Sequence, residues 1–471
     1  MFIKKITLSA VVASVAAIVL LAVQPLAAQT ASDSERLQKL ERAVEQLQKR
    51  NAELEQEISS LKKQTSFAPI LGAEGKTKTK VGSDGKSYVE KGVAEEEKKL
   101  VYVVPAGPEY KLTLGGYIQA NFEDGDVSAF EGRFGLTALK DRFRLRRARI
   151  NLTGDFAENF DFKIEGDFQQ GDGISSGRTA FSATDIFINW HQFAEANVKI
   201  GQWKAPFGLE QITPDPKLFT IERSLPTGAI TPERQIGIQL WGKPFTNVWP
   251  EQKELVTYYA GIFNGNGRNV TNNDNNDFMY VGRLELMPVH GTFLGQEASL
   301  KLGGDILNSR DDAGTNISQS LNLKVNKDGS LSPFTLPGAD ERTAWSVDAW
   351  FTFGPFDLIG EYLSENVDGR TVNGVAPGFA DFNPSGWYVQ GSYFIIPKKL
   401  QAAVKWEELD PGQVADDGIR SITGGLNYYI HGDAIKLMVN YIHTWSDFRE
   451  AHPGFGDDQF DEVIGRVQVM F

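Results

Sequence analysis

From Lys111 to the C-terminus, apolar and polar residues alternate. Leu112, Leu114, Gly116, Ile118, Ala120 and Phe122 take one parity, and Thr113, Gly115, Tyr117, Gln119, Asn121 and Glu123 take the other. A period of two describes a strand with one apolar and one polar face. Similar segments recur near 142–156, 158–170, 183–192, 196–204, 234–243, 253–264, 278–288, 297–307, 343–353, 355–366, 385–396, 398–408, 420–430, 433–445 and 461–471, sixteen in all. Each approaches the 9–11 residues with which a tilted strand crosses a bilayer. A water-soluble sandwich would alternate too, so the connections have to discriminate. Gly354-Pro355, Ile396-Pro397 and His431-Gly432-Asp433 are tight turns, and between them lie long polar loops such as 264–277, 308–342 and 366–384. The stretches 244–252 and 289–296 read as longer turns on the short side. Short turns on one side and long loops on the other predict an all-β fold over 111–471, a 16-stranded antiparallel transmembrane β-barrel with both ends in the periplasm.

The last segment is the most specific. Val463, Gly465, Val467, Val469 and Phe471 alternate up to a terminal aromatic, as in the C-terminal signal that outer-membrane barrels present to their assembly machinery. Trp190, Trp387, Tyr428 and Tyr441 lie near strand ends, where an aromatic girdle belongs.

The stretch FRLRRARINLTGDF, Phe143 to Phe156, follows Arg142 and brings five arginines together. Ala148, Ile150, Leu152 and Phe156 share one parity, and Arg147, Arg149, Asn151 and Thr153 the other. An arginine facing the bilayer midplane costs about 2–4 kcal/mol, so Arg147 and Arg149 are expected in the lumen. Arg144 and Arg146 share the parity of Ile150. Either a bulge resets the register near Arg146, or the pair lies at the extracellular rim. Guanidinium groups hold two phosphate oxygens at once, but they also pair with lumen carboxylates and brace a wall. By parity Lys163, Lys199, Arg283, Lys301, Lys405 and Arg466 also point inward, as do Glu165, Asp167, Glu285, Asp305, Asp348, Glu361 and Glu407.

Ahead of the barrel the period changes. Leu37, Leu40, Val44, Leu47, Asn51, Leu54, Ile58 and Leu61 alternate spacings of three and four. That seam predicts an α-helical coiled coil over 33–64, reaching roughly 37 Å at 1.5 Å per residue. A lone helix lying on another surface would show the same stripe. Residues 65–110, rich in Lys, Gly and Glu, read as a linker with room for a short hairpin. At the start, Lys4 and Lys5 precede the apolar run Ile6 to Val23, and Leu26-Ala27-Ala28 offers a cleavage site. Residues 1–28 therefore read as a signal peptide, with an uncleaved anchor helix as the alternative.

The formal net charge of −13, or −15 without Lys4 and Lys5, argues against nucleic acid as a partner. With no cysteine in the chain, a disulfide scaffold and thiolate metal sites are excluded. The five histidines show no HExxH-type spacing, and no GxSxG elbow is present, so neither an enzyme nor a cofactor is expected. The segment TNNDNND, 271–277, offers oxygen ligands of the kind Ca²⁺ takes, yet the same residues commonly fill polar loops, and no metal site is assigned there.

Three strings carry a family resemblance: RRARINLTGDF (146–156), GQWKAPFGLE (201–210) and RQIGIQLWG (234–242). In this order they resemble the phosphate-selective porin O/P family over roughly 110–471. The resemblance implies a sixteen-stranded barrel of the bacterial outer membrane, usually trimeric, that passes small anions, in some members phosphate or polyphosphate. It also implies that the loop after the fifth strand, 205–233, folds inward and narrows the pore. That loop carries Lys217 and Arg223 beside Glu210, Asp215 and Glu222. The candidate pore-lining, anion-binding residues are therefore Arg147, Arg149, Lys163, Lys199, Lys217 and Arg223, although the lumen is mixed in sign. Two functions remain open. One is a passive, anion-preferring porin with a periplasmic coiled-coil extension. The other is a structural tether, anchored in outer-membrane lipid, whose coiled coil grips peptidoglycan or a periplasmic partner.

The coiled-coil seam generates a test. An Asn at an a position usually favours dimers, whereas the implied barrel is a trimer with the larger lipid-facing contacts. Cross-linking through 33–64 should trap trimers. Monomers alone would end the oligomer reading, and dimers would show that the coil, not the barrel, sets the stoichiometry.

Overall fold

The computed structural model describes residues 111–125, 141–169, 181–313, 336–455 and 457–471, together with the backbone of 79–81, 87–89, 101–103, 323–325 and 331–333. The segments 1–28 and 33–64 lie outside the described residues. Sixteen long strands follow one another: β1 (Lys111–Gly125), β2 (Arg142–Phe156), β3 (Phe160–Asp167), β4 (Ser182–Phe193), β5 (Ala196–Lys204), β6 (Arg234–Gly242), β7 (Val256–Phe263), β8 (Met279–Phe293), β9 (Gln296–Asp311), β10 (Asp340–Phe353), β11 (Phe356–Gly369), β12 (Ser385–Ile396), β13 (Leu400–Asp410), β14 (Ile419–His431), β15 (Ile435–Ser446) and β16 (Gln459–Met470). Each pairs antiparallel with the next, and β16 pairs with β1 from Glu462↔Gly125 to Met470↔Tyr117, so the sheet closes into a barrel with no free edge. Closure is what allows strands to cross lipid, because every ladder group then has a partner. A short strand, Val101–Val103, adds to the start of β1, and Thr79–Val81 pairs with Ser87–Val89 as a separate two-stranded sheet.

The burial pattern is that of a soluble protein turned inside out. Ile118, Ile150, Ile200, Val347, Val404, Leu426 and Val467 are exposed on the outer face. The opposite parity carries Gln119, Arg283, Lys405, Asn440 and Gln468, all buried. Alternation along each strand thus divides an apolar outer band from a polar lumen.

A bulge settles the alternatives left open for β2. Gln119 pairs with Arg147 and Ala120 with Leu145, so Arg146 is the extra residue. It flips the parity, and Arg146 joins Arg147 and Arg149 on the buried inner face while Phe143, Leu145 and Ile150 stay outside. A second irregularity, between Ile164↔Ile186 and Gly166↔Ala183, lets β4 turn both Thr184 and Asp185 inward, toward Glu165 and Lys163. One turn differs from the sequence expectation. Residues 289–296 are not a long turn, because β8 and β9 continue pairing to Phe293↔Gln296, with a tight reversal at Leu294 and Gly295.

The C-terminal residue completes the closure. Phe471 N donates to Gly116 O and Gly116 N donates to Phe471 O, each at 3.0 Å. A Cβ on Gly116 would meet the Phe471 ring at 2.9 Å, so the glycine leaves room for the aromatic. Deleting Phe471 should therefore reduce the amount of folded, heat-modifiable protein in the outer membrane. Unchanged yield and migration would show that closure does not depend on it.

Candidate functional site

The connection between β5 and β6, residues 205–233, lies inside the barrel. Prolines at 206, 214, 216, 226 and 232 prevent long regular structure. What remains is α1 (Leu209–Ile212), a 3₁₀ turn at Asp215–Lys217 and α2 (Leu225–Ile230). Gly208 enters α1 at φ 82°, a left-handed conformation that glycine adopts at little cost. Pro226 stands in the first turn of α2, behind the N-cap Ser224.

Wall side chains pair with the backbone of this irregular segment. Carboxylates and an amide take its N–H groups: Gly208 N donates to Asp305 (3.0 Å), Leu209 N and Glu210 N to Glu361 (2.7 and 3.1 Å), Ile221 N to Asn440 (2.7 Å) and Leu225 N to Glu407 (2.7 Å). Cationic side chains take its carbonyls: Lys436 reaches Pro216 O (2.8 Å), Lys405 reaches Glu222 O (3.0 Å), Arg466 reaches Ile221 O (2.6 Å) and Lys204 reaches Gln211 O (2.6 Å). An apolar cluster seats α2. Leu225, Ala229 and Ile230 pack with Trp203, Phe263, Val281, Leu307, Leu363 and Leu409.

Two loop carboxylates gather the arginines. Asp215 receives Arg147 (3.2 Å), Arg149 (2.9 Å), Arg223 and the Tyr117 hydroxyl (3.0 Å). Glu222 receives Arg146 through two bonds (2.9 and 3.1 Å) and Arg466 (2.7 Å). Burial alone would raise the Asp215 carboxyl, but Arg147, Arg223, Lys204 and Arg149 overcome it and hold the group well below the usual carboxylate range. Glu222 is likewise held well below its ordinary value, because Arg146, Arg466 and Arg147 outweigh its burial. Arg149 also contacts Asp167 (2.9 Å), and Arg147 donates to Gln119 (2.9 Å).

The six sequence candidates fall into two groups. Arg147, Arg149 and Arg223 meet at Asp215. Lys163, Lys199 and Lys217 stand apart from that cluster. Lys163 Nζ pairs with Asp185 (2.8 Å) and Glu165 (2.9 Å) and is a quarter exposed. The Lys199 ammonium lies over the rings of Phe187 (4.5 Å), Trp203 (5.6 Å) and Trp241 (6.0 Å), an aromatic setting that favours a cation. Lys217 is exposed beside a cleft lined by Thr213, Phe219, Trp350 and Gln390. The sequence reasoning missed Lys204, the central position of Asp215 and the apolar seat of α2. The seat had a signal, since Leu307, Leu363 and Leu409 are apolar residues on the lumen parity. The polar loop 271–277 bonds within itself, through Asn273 to Asp277 O (2.6 Å) and Asp277 N to Asn275 (2.7 Å).

Comparison with known proteins agrees with this geometry. The chain is similar in fold to the outer membrane channel DcaP of Acinetobacter baumannii (15% identity, TM-score 0.50, covering 79% of this chain and 99% of that one). It is similar as well to an anion-selective porin from Comamonas acidovorans (14%, 0.50, 77% and 100%) and to a loop-deletion form of OmpT, an outer membrane protein of Vibrio cholerae (11%, 0.50, 77% and 99%). No curated relative matches. The profile of the family "Phosphate-selective porin O and P" matches residues 113–471, the whole barrel but for the first two residues of β1. With its closed sixteen-strand wall and inward loop, this chain belongs to the phosphate-selective porin O and P family and is an outer-membrane porin.

Proposed function

We propose that the barrel is a passive, anion-preferring diffusion channel for small hydrophilic solutes, with oxyanions such as phosphate in its range, and that it works as a homotrimer. One observation carries the reading. Among the described residues, Lys199, Lys204 and Lys217 have no carboxylate within ion-pair distance, and all three are at least partly exposed. Most of the lumen acids are differently placed, although Asp185 (16%) and Glu285 (13%) stay partly exposed beside Lys163 and Arg283. Asp167, Asp215, Glu222, Asp305 and Glu407 have side chains no more than 6% exposed. A permeating ion responds most to charges that water reaches, and the buried Asp215 and Glu222 are outnumbered by the five arginines that meet them. The mixed-sign lumen thus presents a positive face.

In this reading Arg147, Arg149 and Arg223 keep the loop in place, Lys163 is held by Asp185 and Glu165, and Lys199, Lys204 and Lys217 meet the anion. The leucine seam at 37–61 supports an added tethering role for the N-terminal segment, independent of conduction.

Replacing Lys199, Lys204 and Lys217 by Glu reverses two charge units at each position. Permeating ions feel such charges within about 10 Å at 0.1 M salt. The reversal potential in a salt gradient should move toward cation preference, and the shift should shrink at 1 M salt. A reversal potential that stays anionic would remove the lysines from the site. Changing Arg147 and Arg149 to Gln tests the division of roles, because it leaves Asp215 buried with fewer partners, a loss of roughly 3–5 kcal/mol for a broken buried pair. Folding yield should fall and channel noise should rise. A quiet, fully folded channel with altered selectivity would instead make these arginines anion contacts.

The held-down carboxyls set a pH dependence. Their folded values lie below the unfolded ones, about 3.9 for Asp and 4.3 for Glu. Their contribution is therefore complete above those unfolded values and is lost as pH falls through the lower folded ones. Conductance should stay steady from pH 7 to about 5 as far as Asp215 and Glu222 are concerned. Loop noise appearing near pH 6 in wild type, and absent when both are replaced by Asn and Gln, would contradict this.

A further inference from the structure

Within 215–221, Lys217 is the one exposed residue. Pro216 and Leu218 on either side of it are buried, and the wall holds the carbonyls of both. Lys436 of β15 donates to Pro216 O (2.8 Å) and to Leu218 O (3.3 Å). One ammonium therefore straddles Lys217. Gln468 of β16 adds a second bond to Pro216 O (3.2 Å). Further along, Asn427 of β14 donates to Phe219 O (2.8 Å), and the Phe219 ring meets Trp350 edge-on at 5.9 Å. On the other side, the Asp215 carboxylate is gripped by Arg147, Arg149 and Arg223.

The surroundings of Lys436 suit a clamp and not an ion contact. An ammonium has three donors and no acceptor. Here they meet three acceptors, the two loop carbonyls and Asp433 Oδ1 (3.2 Å). The Tyr429 ring lies 5.3 Å from the ammonium, and the residue is 1% exposed. No donor is left for a passing solute, and Asp433 sets a negative charge beside the positive one. Lys217 is the reverse case, exposed and without a carboxylate partner among the described residues. Buried carbonyls left unpaired are costly, so the two bonds to Lys436 fix the backbone on both sides of Lys217 and leave that residue no direction except the water.

We infer that Lys436 is a positioning residue for Lys217. By holding the carbonyls that flank it, Lys436 sets where the Lys217 charge stands in the water path, and with it the anion preference of the constriction. The inference rests on the reading of Lys217 as an anion contact. It adds that a wall lysine which no solute touches governs selectivity through the loop backbone.

A double-mutant cycle on the full-length protein in planar bilayers tests this. Lys217→Gln should lower the chloride-to-potassium permeability ratio about twofold or more at roughly 0.1 M salt, where charge is felt over ~10 Å. In the Lys436→Met background the same substitution should have less than about half that effect, because the charge it removes is no longer held in the path. Lys199→Gln serves as the control, and its effect should be the same in both backgrounds. Where Lys436→Met does not migrate as heat-modifiable, Lys436→Gln takes its place, since it also cannot bridge two carbonyls with an ammonium. Additive effects of Lys217→Gln and Lys436→Met overturn the positioning role, because Lys436 then acts through its own charge, while Lys217 stays an anion contact. A loss of the Lys199→Gln effect in the Lys436→Met background also overturns it, since the damage is then general. No effect of Lys217→Gln in the native background removes Lys217 from the pore, and the positioning role with it.

Discussion

An irregular loop inside a barrel leaves its peptide groups without ladder partners, and the rest of the lumen is arranged around that need. A buried N–H or C=O left unpaired costs about as much as a lost hydrogen bond. Residues 205–233 pair with themselves mainly within short turns such as α1, the 3₁₀ turn and α2, so the wall supplies many of the other partners. N–H groups require acceptors, which are Asp305, Glu361, Glu407 and Asn440. Carbonyls require donors, which are Lys405, Lys436 and Arg466. Acids and bases must therefore alternate around the lumen whatever solute passes. The mixed sign that makes the sequence ambiguous as to selectivity follows from the backbone of the loop.

Burial then separates the charges that hold from the charges that act. Asp215 and Glu222 draw Arg146, Arg147, Arg149, Arg223 and Arg466 into contacts that close over both partners. Two carboxylates against five guanidiniums, with Asp167 as a third acid, leave this cluster net positive. Lys199 is held by rings and Lys204 by a carbonyl, and neither contact supplies a compensating negative charge. The same wall can thus be rich in carboxylates and still positive where an ion travels.

The barrel was legible in the sequence because its constraint is periodic. One face touches lipid and the other water, so parity marks all sixteen strands and places Arg283, Lys405 and Arg466 inward without any coordinates. The Arg146 bulge was half legible. The broken parity of Arg144 and Arg146 showed that something interrupts the pattern, but only pairing with Gln119 and Ala120 tells a bulge from a rim. The site was less legible because its contacts join residues with no shared period. Arg466 and Glu222 are 244 positions apart, and Lys436 and Pro216 are 220 apart. Proline spacing announces that 205–233 is irregular, yet which wall side chain meets which peptide group depends on how the loop folds back.

The choice between arginine and lysine follows the same division. A guanidinium presents several donors in a fixed plane and can satisfy two carboxylate oxygens or a carboxylate and a carbonyl together, as Arg146 and Arg466 do. That geometry suits permanent contacts. It would suit a transit site poorly, since an oxyanion gripped by two bonds leaves slowly, and conduction requires binding weak enough to release. An ammonium is a hydrated point charge on a flexible stem, which attracts an anion without fixing its orientation. Arginines gather the loop carboxylates, buried Lys405 and Lys436 hold loop carbonyls, and the exposed Lys217 is left to the water face. The stronger bonds keep the constriction open at a fixed width, and the weaker ones let the solute through.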